Sequence, residues 1–372
     1  MHQAKRIYCT VTNELSYDQR MTRICSSLAA AGYRVTLIGR SVRGAPRLEQ
    51  KSFRQYRISL FFQKGKLFYL EYNIRLFFYL LFRRADLICA VDLDSILPVY
   101  LVSALRGIYR VYDAHELFCE MKEVVSRPGI YKFWKKIEGF AVPAFRNGYT
   151  VSQPIAREFQ KMYGNSYEVI RNMPVLGGEK NDPGKKSGTM VTGKFVLYQG
   201  AVNEGRCFES LIPAMQSVEA SLVICGNGNF LTQARELVKR HQLEAKVIFK
   251  GAILPEELRA MTREAWCGVT LFDRTGKSNY FSLANRFFDY MHAGIPQLAM
   301  NYPAYQEINN LYPIAVLIDE PSIPAIADAL NGLMRNNDLH HTLQENCKKA
   351  RRIFNWQHEE KKLLHFYKQI LT

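Results

Sequence analysis

Arg206 lies in the stretch YQGAVNEGRCFESLI, where a buried strand ends at Gly200, a loop follows, and a helix is predicted to begin near Cys207. Backbone N–H groups at a helix start, beside a guanidinium, form a phosphate site. A plain strand–turn–helix connection with a surface arginine is the structural alternative. Further on, CGNGNF follows an apolar strand, and its Gly226 and Gly228 would let a ligand approach the backbone. Tight turns also use glycine for steric reasons alone. The longer G-x-G-x-x-G spacing of a dinucleotide fingerprint is absent. The most specific stretch is GKSNYFSLANRFFDYMHAGIPQLAM. Small and polar residues lead into a predicted helix that carries Asp289, and a Gly-Ile-Pro turn then feeds a buried strand.

A second set of polar residues lies in the first half. VYDAHELFCE ends a strand with Asp113, His115 and Glu116, and polar residues at such strand ends face the ligand in open parallel sheets. A histidine satisfied by a nearby carbonyl is the alternative. TNELSYDQR places Glu14, Asp18 and Arg20 after the first strand on the opposing wall, where with Asp113 and Glu116 they are expected on the acceptor side; Asp18 is equally able to cap the helix that comes next. AVDLDS holds Asp92 and Asp94 one residue apart. Alternate carboxylates can ligate a divalent cation, but here they read as loop residues on the acceptor side, and no metal is expected.

The elements that must position these groups alternate along the chain. RIYCTVTNELSYDQRMTRICSSLAAAGYRVTLIGR reads as strand, loop, helix, glycine turn, strand, with Met21, Ile24, Cys25 and Leu28 at helical spacing. ADLICAV, a helix near residues 95–105, RVYDA, GYTVS and YEVIRN continue the rhythm. Residues 176–194 lapse into Gly, Lys, Asp and Pro and read as a linker. The alternation then restarts with KFVLYQGAV, SLVICG, KVIFKG, CGVTLFD, PQLAM and AVLI, separated by helices. Two similar α/β halves with parallel sheets are predicted, with ligands between them at the carboxyl ends of the strands.

At 372 residues the chain exceeds the usual single domain. Its eight cysteines form no C-x-x-C pair and sit largely in apolar runs, as reduced core thiols of a cytosolic protein would. No secretory signal is read at the N-terminus, and the longest apolar run, residues 76–82, falls short of the ~20 residues a spanning helix needs. The charge of +16 is uneven: residues 1–84 hold 16 Lys/Arg against 4 Asp/Glu, whereas residues 186–372 hold 21 against 18. An anionic surface is therefore expected to meet the N-terminal part. Within it, residues 53–84 mix Phe, Tyr, Leu and Ile with Arg and Lys, the signature of a segment lying in a bilayer interface. On a helix, Lys64, Glu71 and Arg75 would form one stripe. Residues 76–81 are expected to be core, and the basic aromatic part near 53–68 exposed.

In order and spacing, YQGAVNEGR, CGNGN, KGAILPEEL, SLANRFFDYMHAGIP, VYDAHE, TVSQPIAREF and the closing NWQHEEKKLLHFY resemble glycosyltransferase family 4 over the entire chain. The resemblance implies the GT-B architecture: two Rossmann-like α/β/α domains facing a central cleft. These would be an acceptor and membrane domain over 1–185, a donor domain over 186–350, and a helix over 351–372 crossing back. It implies that Arg206 and Arg286 neutralise the donor diphosphate, with His115 near the sugar as a third catalytic residue. It also implies that Gly200, Asn203, Gly205, Gly226 and Gly228 line the donor. Backbone amides of Ser282, Leu283, Ala284 and Asn285 would cradle phosphate and sugar, and Asp289 would bind the ribose hydroxyls, a carboxylate being able to accept from both. Gly251, Ala252 and Ile253 would meet the base. Two positions depart from the family: Phe281 replaces a customary acidic residue, and Ala201 a customary arginine.

The expected reaction is retaining transfer of a hexose from a nucleoside-diphosphate sugar, UDP favoured, to a membrane lipid that is ceramide- or diacylglycerol-like or polyprenyl-linked. No cofactor is expected, and the expected location is cytoplasmic, peripheral on the inner face of the cell membrane. The rival readings are the same fold with a soluble or polysaccharide acceptor, a sugar-nucleotide epimerase, and, least supported, a nucleic-acid-binding module.

Overall fold

The computed structural model describes residues 4–177 and 193–372. Its contacts divide the chain into two units, one of residues 1–172 and 359–372, the other of residues 173–358. The first unit is built on β1 (Arg6–Thr10), β2 (Arg34–Arg40), β3 (Arg54–Ile58), β4 (Leu87–Val91), β5 (Tyr109–Ala114), β6 (Gly148–Thr150) and β7 (Glu168–Val169). They form one sheet in the order β3-β2-β1-β4-β5-β6-β7, every pairing parallel. All five residues of β4 are buried, as expected of a central strand covered by helices on both faces.

The second unit repeats the plan with β8 (Phe195–Gln199), β9 (Ser221–Cys225), β10 (Val247–Gly251), β11 (Cys267–Thr270), β12 (Gln297–Met300) and β13 (Ala315–Ile318). Their order is β10-β9-β8-β11-β12-β13, again parallel throughout. Each sheet thus places its first three strands in reverse order to one side of the switch point and the later ones to the other, as doubly wound sheets do. The last helix, Trp356–Leu371, begins among residues of the second unit and ends among those of the first. There Leu363 and Tyr367 are fully buried, and the hydroxyls of Tyr149 and Tyr367 lie 3.4 Å apart. The expected linker lies mostly outside the described residues, and the contact boundary falls between residues 172 and 173. All eight cysteines are buried, and none is in a disulfide among the described residues.

The first two α-helices of the chain are α1 (Gln19–Ala30), between β1 and β2, and α2 (Gly65–Leu81), between β3 and β4. The segment 53–84 is not the single interfacial stretch expected. RQYRI is an edge strand, β3, paired with β2 from Thr36↔Arg54 to Arg40↔Ile58; Arg54 is exposed, whereas Arg57 is largely buried against Glu14. In α2, Phe68, Tyr72, Leu76 and Leu80 form one buried stripe, while Leu67, Leu70, Ile74 and Phe78 on the opposite side are exposed. The division between core and surface therefore runs along the helix, by face, rather than at residue 76. Lys64 is the N-cap, outside the helix proper. Glu71 folds back to accept from the amides of Phe61 (3.0 Å) and Phe62 (2.9 Å), and pairs with Arg75 at 2.8 Å. Among the described residues no helix is long and apolar enough to cross a membrane.

Candidate active site

At the carboxyl ends of the second sheet, successive loops lock together backbone to backbone. The amide of Gly200 donates to Cys225 O (3.0 Å), that of Val202 to Asn227 O (3.0 Å), and that of Gly226 to Gly251 O (2.8 Å). A Cβ on Gly226 would stand 1.8 Å from Gly200 O, and one on Gly228 2.2 Å from Val202 O. Neighbouring loop carbonyls thus explain both glycines, and the space their missing side chains leave is filled by protein, not open to a ligand. Gly251, which carries φ +69°, opens the turn that holds Ala252 and Ile253.

The helix after Arg206 runs only from Phe208 to Ala214, its N-cap Cys207 sits at φ +57°, and no side chain caps it. Arg206 is therefore placed mainly by side-chain contacts. Its Nη1 donates to Asn279 Oδ1 (3.2 Å) and its guanidinium lies 4.3 Å from the centre of the Phe272 ring. Gly205 accepts from Asp273 N (3.0 Å), and Asn203 Oδ1 accepts from Asn229 N (3.1 Å).

Arg286 reaches the same place from the helix Asn285–Ala293. It is 8% exposed, lies 4.6 Å from the Tyr198 ring and 4.9 Å from the Phe272 ring, and donates from Nη1 to Gln199 O (3.0 Å). Its Nε is buried without a partner, and among the described residues no carboxylate forms an ion pair with it. A buried guanidinium cannot shed its proton, and a buried charge without a counter-ion is costly. Gly200, at φ +119°, has no Cβ where one would come 3.2 Å from Arg286 Nη1. The two arginines share Phe272, so they converge on one locus at the strand ends. That arrangement is suited to an anion with more than one charged group.

One turn along the same helix, Tyr290 fixes its pose. The tyrosine hydroxyl donates to Leu197 O (2.9 Å), accepts from Gln199 N (3.2 Å), and its ring packs where Gly268 lacks a side chain. Asp289 Oδ2 then accepts from Gln199 Nε2 (2.9 Å), and Thr262 donates to Gln199 Oε1 (2.8 Å). The carboxylate expected to hold ribose hydroxyls is thus oriented by an amide that is itself held at its other end. In the approach to the helix, Ser282 Oγ donates to Asn279 O (2.9 Å), Leu283 is buried, and the amide of Ala284 donates to Tyr305 Oη (3.1 Å). One amide of the expected phosphate cradle is therefore used within the fold.

In the first unit the polar residues gather at the carboxyl ends of β1, β4 and β5. Asp113 is fully buried and pairs with Arg20 Nη2 at 2.8 Å; Arg20 Nε lies 2.8 Å from His115 Nε2, and Arg20 donates to Ile170 O (3.3 Å). Neither Asp113 nor Arg20 is an acceptor-side wall residue as expected; both lie beneath His115 and support it. Glu14 accepts from Ser16 N (2.9 Å) and pairs with Arg57, and Asp18 caps α1 by accepting from Met21 N (2.9 Å). Those two carboxylates serve local structure. Glu116 is partly exposed beside the cluster.

His115 is the centre of charge. Its Nδ1 lies 3.3 Å from Asp92 Oδ2 and its Nε2 3.2 Å from Asp113 Oδ2, an oxygen otherwise buried without a partner. Burial works against an imidazolium there, but Asp92 and Asp113 outweigh it and the opposing Arg20, raising the pKa to about 9. The neutral ring would accept the Arg20 Nε–H at Nε2. The protonated ring instead offers that nitrogen's hydrogen to Asp113 Oδ2, and two carboxylates against one guanidinium favour this form. Burial also acts on Asp113, yet Arg20 and then His115 pull it down to about 2. Asp92, strained at φ +55°, is pushed by burial to about 6 despite His115. Asp94 is pushed to about 7 by burial and then by Asp92, while Thr12 donates to its Oδ2.

Sequence reasoning missed Gln199, Thr262, Phe272, Asn279 and Thr12. Gln199 alone left a signal: a polar residue ending an apolar strand just before Gly200.

Residues 19–173 match the model of Glycosyltransferase Family 4, and residues 180–350 that of Glycosyl transferases group 1. No curated protein matches the chain. Among solved structures, a glycosyltransferase from Rickettsia africae superposes with a TM-score of 0.75 at 13% identity, covering 100% of each chain. HepE of Anabaena, solved in complex with UDP and glucose, gives a TM-score of 0.75 at 14% identity, over 98% of this chain and 100% of its own. WaaG, a glycosyltransferase involved in lipopolysaccharide biosynthesis, gives 0.68 at 15%, over 96% and 98%.

Proposed function

The chain belongs to the family 4, group 1 glycosyltransferases of GT-B architecture, and from that membership we propose retaining transfer of a hexose from a UDP-sugar to a membrane lipid acceptor. The lipid is ceramide- or diacylglycerol-like or polyprenyl-linked, and the enzyme works at the inner face of the cell membrane.

The observation that carries the donor half is Arg286, buried and without a carboxylate partner, converging with Arg206 on one aromatic ring. Glycosyl transfer leaves a nucleoside diphosphate, and preorganised positive charge at the departing oxygens is the largest catalytic contribution a protein can make there. In this reading Asp289, which Gln199 orients, accepts from the ribose hydroxyls. HepE, of like fold, was solved with UDP and glucose, which favours uridine. Retention of configuration rests on the family resemblance.

The lipid acceptor is supported by the row Leu67, Leu70, Ile74 and Phe78 that α2 leaves exposed among basic residues, an arrangement suited to a bilayer interface. WaaG, also of like fold, acts in lipopolysaccharide biosynthesis. The test is incubation of the purified protein with labelled UDP-hexoses and extracted membrane lipids. Label passing into a lipid with the donor's anomeric configuration is the expected result. Label passing only into soluble saccharides, or an inverted product, would overturn the lipid or the retaining part respectively.

A further inference from the structure

At the opposite end of the first sheet from His115, the strands begin in arginine. Arg6 opens β1 and is the register partner of Arg34, which opens β2, and Arg54 opens β3. Lys51 precedes β3, and Arg83 and Arg84 follow the C-cap of α2. These six cationic side chains line one cavity of about 680 Å³ together with Tyr8, Tyr33, Phe53 and Phe82, and no acidic residue lines it. Among the described residues none of the six forms an ion pair with a carboxylate. Arg83 lies over the Tyr79 ring at 5.0 Å, and Lys51 donates to Thr22 Oγ1 at 3.0 Å, so part of the ring of charge is held in place. Six like charges around one cavity repel one another, and a bound anion offsets that repulsion.

We propose that this cavity is a second ligand site, taking the phosphate of an anionic membrane lipid headgroup. It rests on the membrane-lipid reading above and adds to it a specific anchor remote from the catalytic end. The choice of a lipid over a soluble phosphate comes from the rim. Phe82 lies in the cavity wall, is 79% exposed, and continues the exposed row of Phe78, Ile74, Leu70 and Leu67. A soluble anion has no use for that ridge, whereas a phospholipid presents apolar chains beside its phosphate. At 17 residues α2 spans about 25 Å. Lying flat in the interface, it joins the anion cavity at its C-terminal end to the region of the catalytic strand ends at its N-terminal end.

The test is partitioning of the full chain onto phosphatidylcholine vesicles with and without phosphatidylglycerol, for the parent and for Arg34→Glu/Arg83→Glu/Arg84→Glu. All three positions are exposed. The expected result is a loss of at least about a hundredfold for the phosphatidylglycerol vesicles, removal of three positive charges alone contributing about a factor of five each. Stabilisation by UDP stays at the parent level, which reports both an intact fold and an intact donor site. If the triple variant does not fold, Arg84→Gln alone is expected to lose roughly fivefold. Ile74→Ser/Phe78→Ser is expected to weaken partitioning onto both vesicle types. Charge-reversed protein that partitions like the parent overturns the proposal. So does calorimetric binding of free glycerol 3-phosphate that the reversals abolish while leaving vesicle binding untouched, since that assigns the cavity to a soluble anion. Failure of the donor reading is separate: it shows as a parent protein that UDP does not stabilise.

Discussion

Arg286 is held 8% exposed by two aromatic rings and a carbonyl, with no carboxylate to balance it. Such a charge costs stability in the unliganded protein, so Arg286→Met is predicted to leave the melting temperature unchanged or higher. Transfer is predicted to fall by about 10²–10³-fold, the loss typical of a donor aimed at developing negative charge. Gln199→Leu removes the amide that orients Asp289 and is predicted to raise KM for the donor about tenfold, one hydrogen bond's worth, with a smaller change in kcat; an unchanged KM would remove Gln199 from the site. His115 gives a pH test. Its pKa in the fold, about 9, exceeds the ordinary 6.5, so its stabilisation is fully present below pH 6.5 and is lost as pH rises through 9. Melting temperature is predicted to decline across that window and His115→Gln to flatten the decline; an equal slope in the variant would contradict the imidazolium. At this scale the sequence showed the residue types but not their partners. Arg206, His115 and Asp289 stood at strand and helix ends where chemistry is expected, while Asp18 proved to be a cap and Gly226 a steric necessity. Arg286's missing counter-ion and Gln199's grip on Asp289 depend on residues distant in sequence, which no local spacing encodes.

Among the elements, α2 divides most clearly into two roles. Leu76 sits at 0% exposure in its buried stripe, and Leu76→Ala is predicted to destabilise the fold by roughly 2–5 kcal/mol in chemical denaturation. Phe78, 53% exposed, is predicted to change stability by no more than about 0.5 kcal/mol when replaced by serine. The same change is predicted to weaken vesicle binding, and equal binding would leave the exposed row without its proposed role. The alternation of strands and helices was legible because buried parallel strands such as LICAV are apolar throughout and helices carry a 3.6-residue stripe. β3 was not, because RQYRI is an edge strand with two arginines and a glutamine, so in composition it blends with the basic segment after it. The helical stripe within α2 was masked for a related reason: nearly every position is apolar, and periodicity appears only where polar residues alternate with apolar ones.

For the molecule as a whole, two sheets with the same strand order carry two polar clusters, each at the carboxyl ends of its strands, and the excess positive charge resides in the first unit. The repeated α/β rhythm made the doubled architecture readable from the chain alone. The apportioning of residues 359–372 to the first unit depends instead on packing of Leu363 and Tyr367. The central claim is that the second unit holds a nucleoside diphosphate through a buried arginine that otherwise lacks an anion. Thermal unfolding of the parent and Arg286→Met with UDP, and with uridine as the phosphate-free control, tests it most directly. A ligand at a hundred times its Kd adds about 2.7 kcal/mol of stability. UDP, and not uridine, is predicted to raise the parent's melting temperature, and the variant to lose this response. A variant stabilised by UDP as fully as the parent, or a parent indifferent to UDP and to every other nucleoside diphosphate, would contradict it.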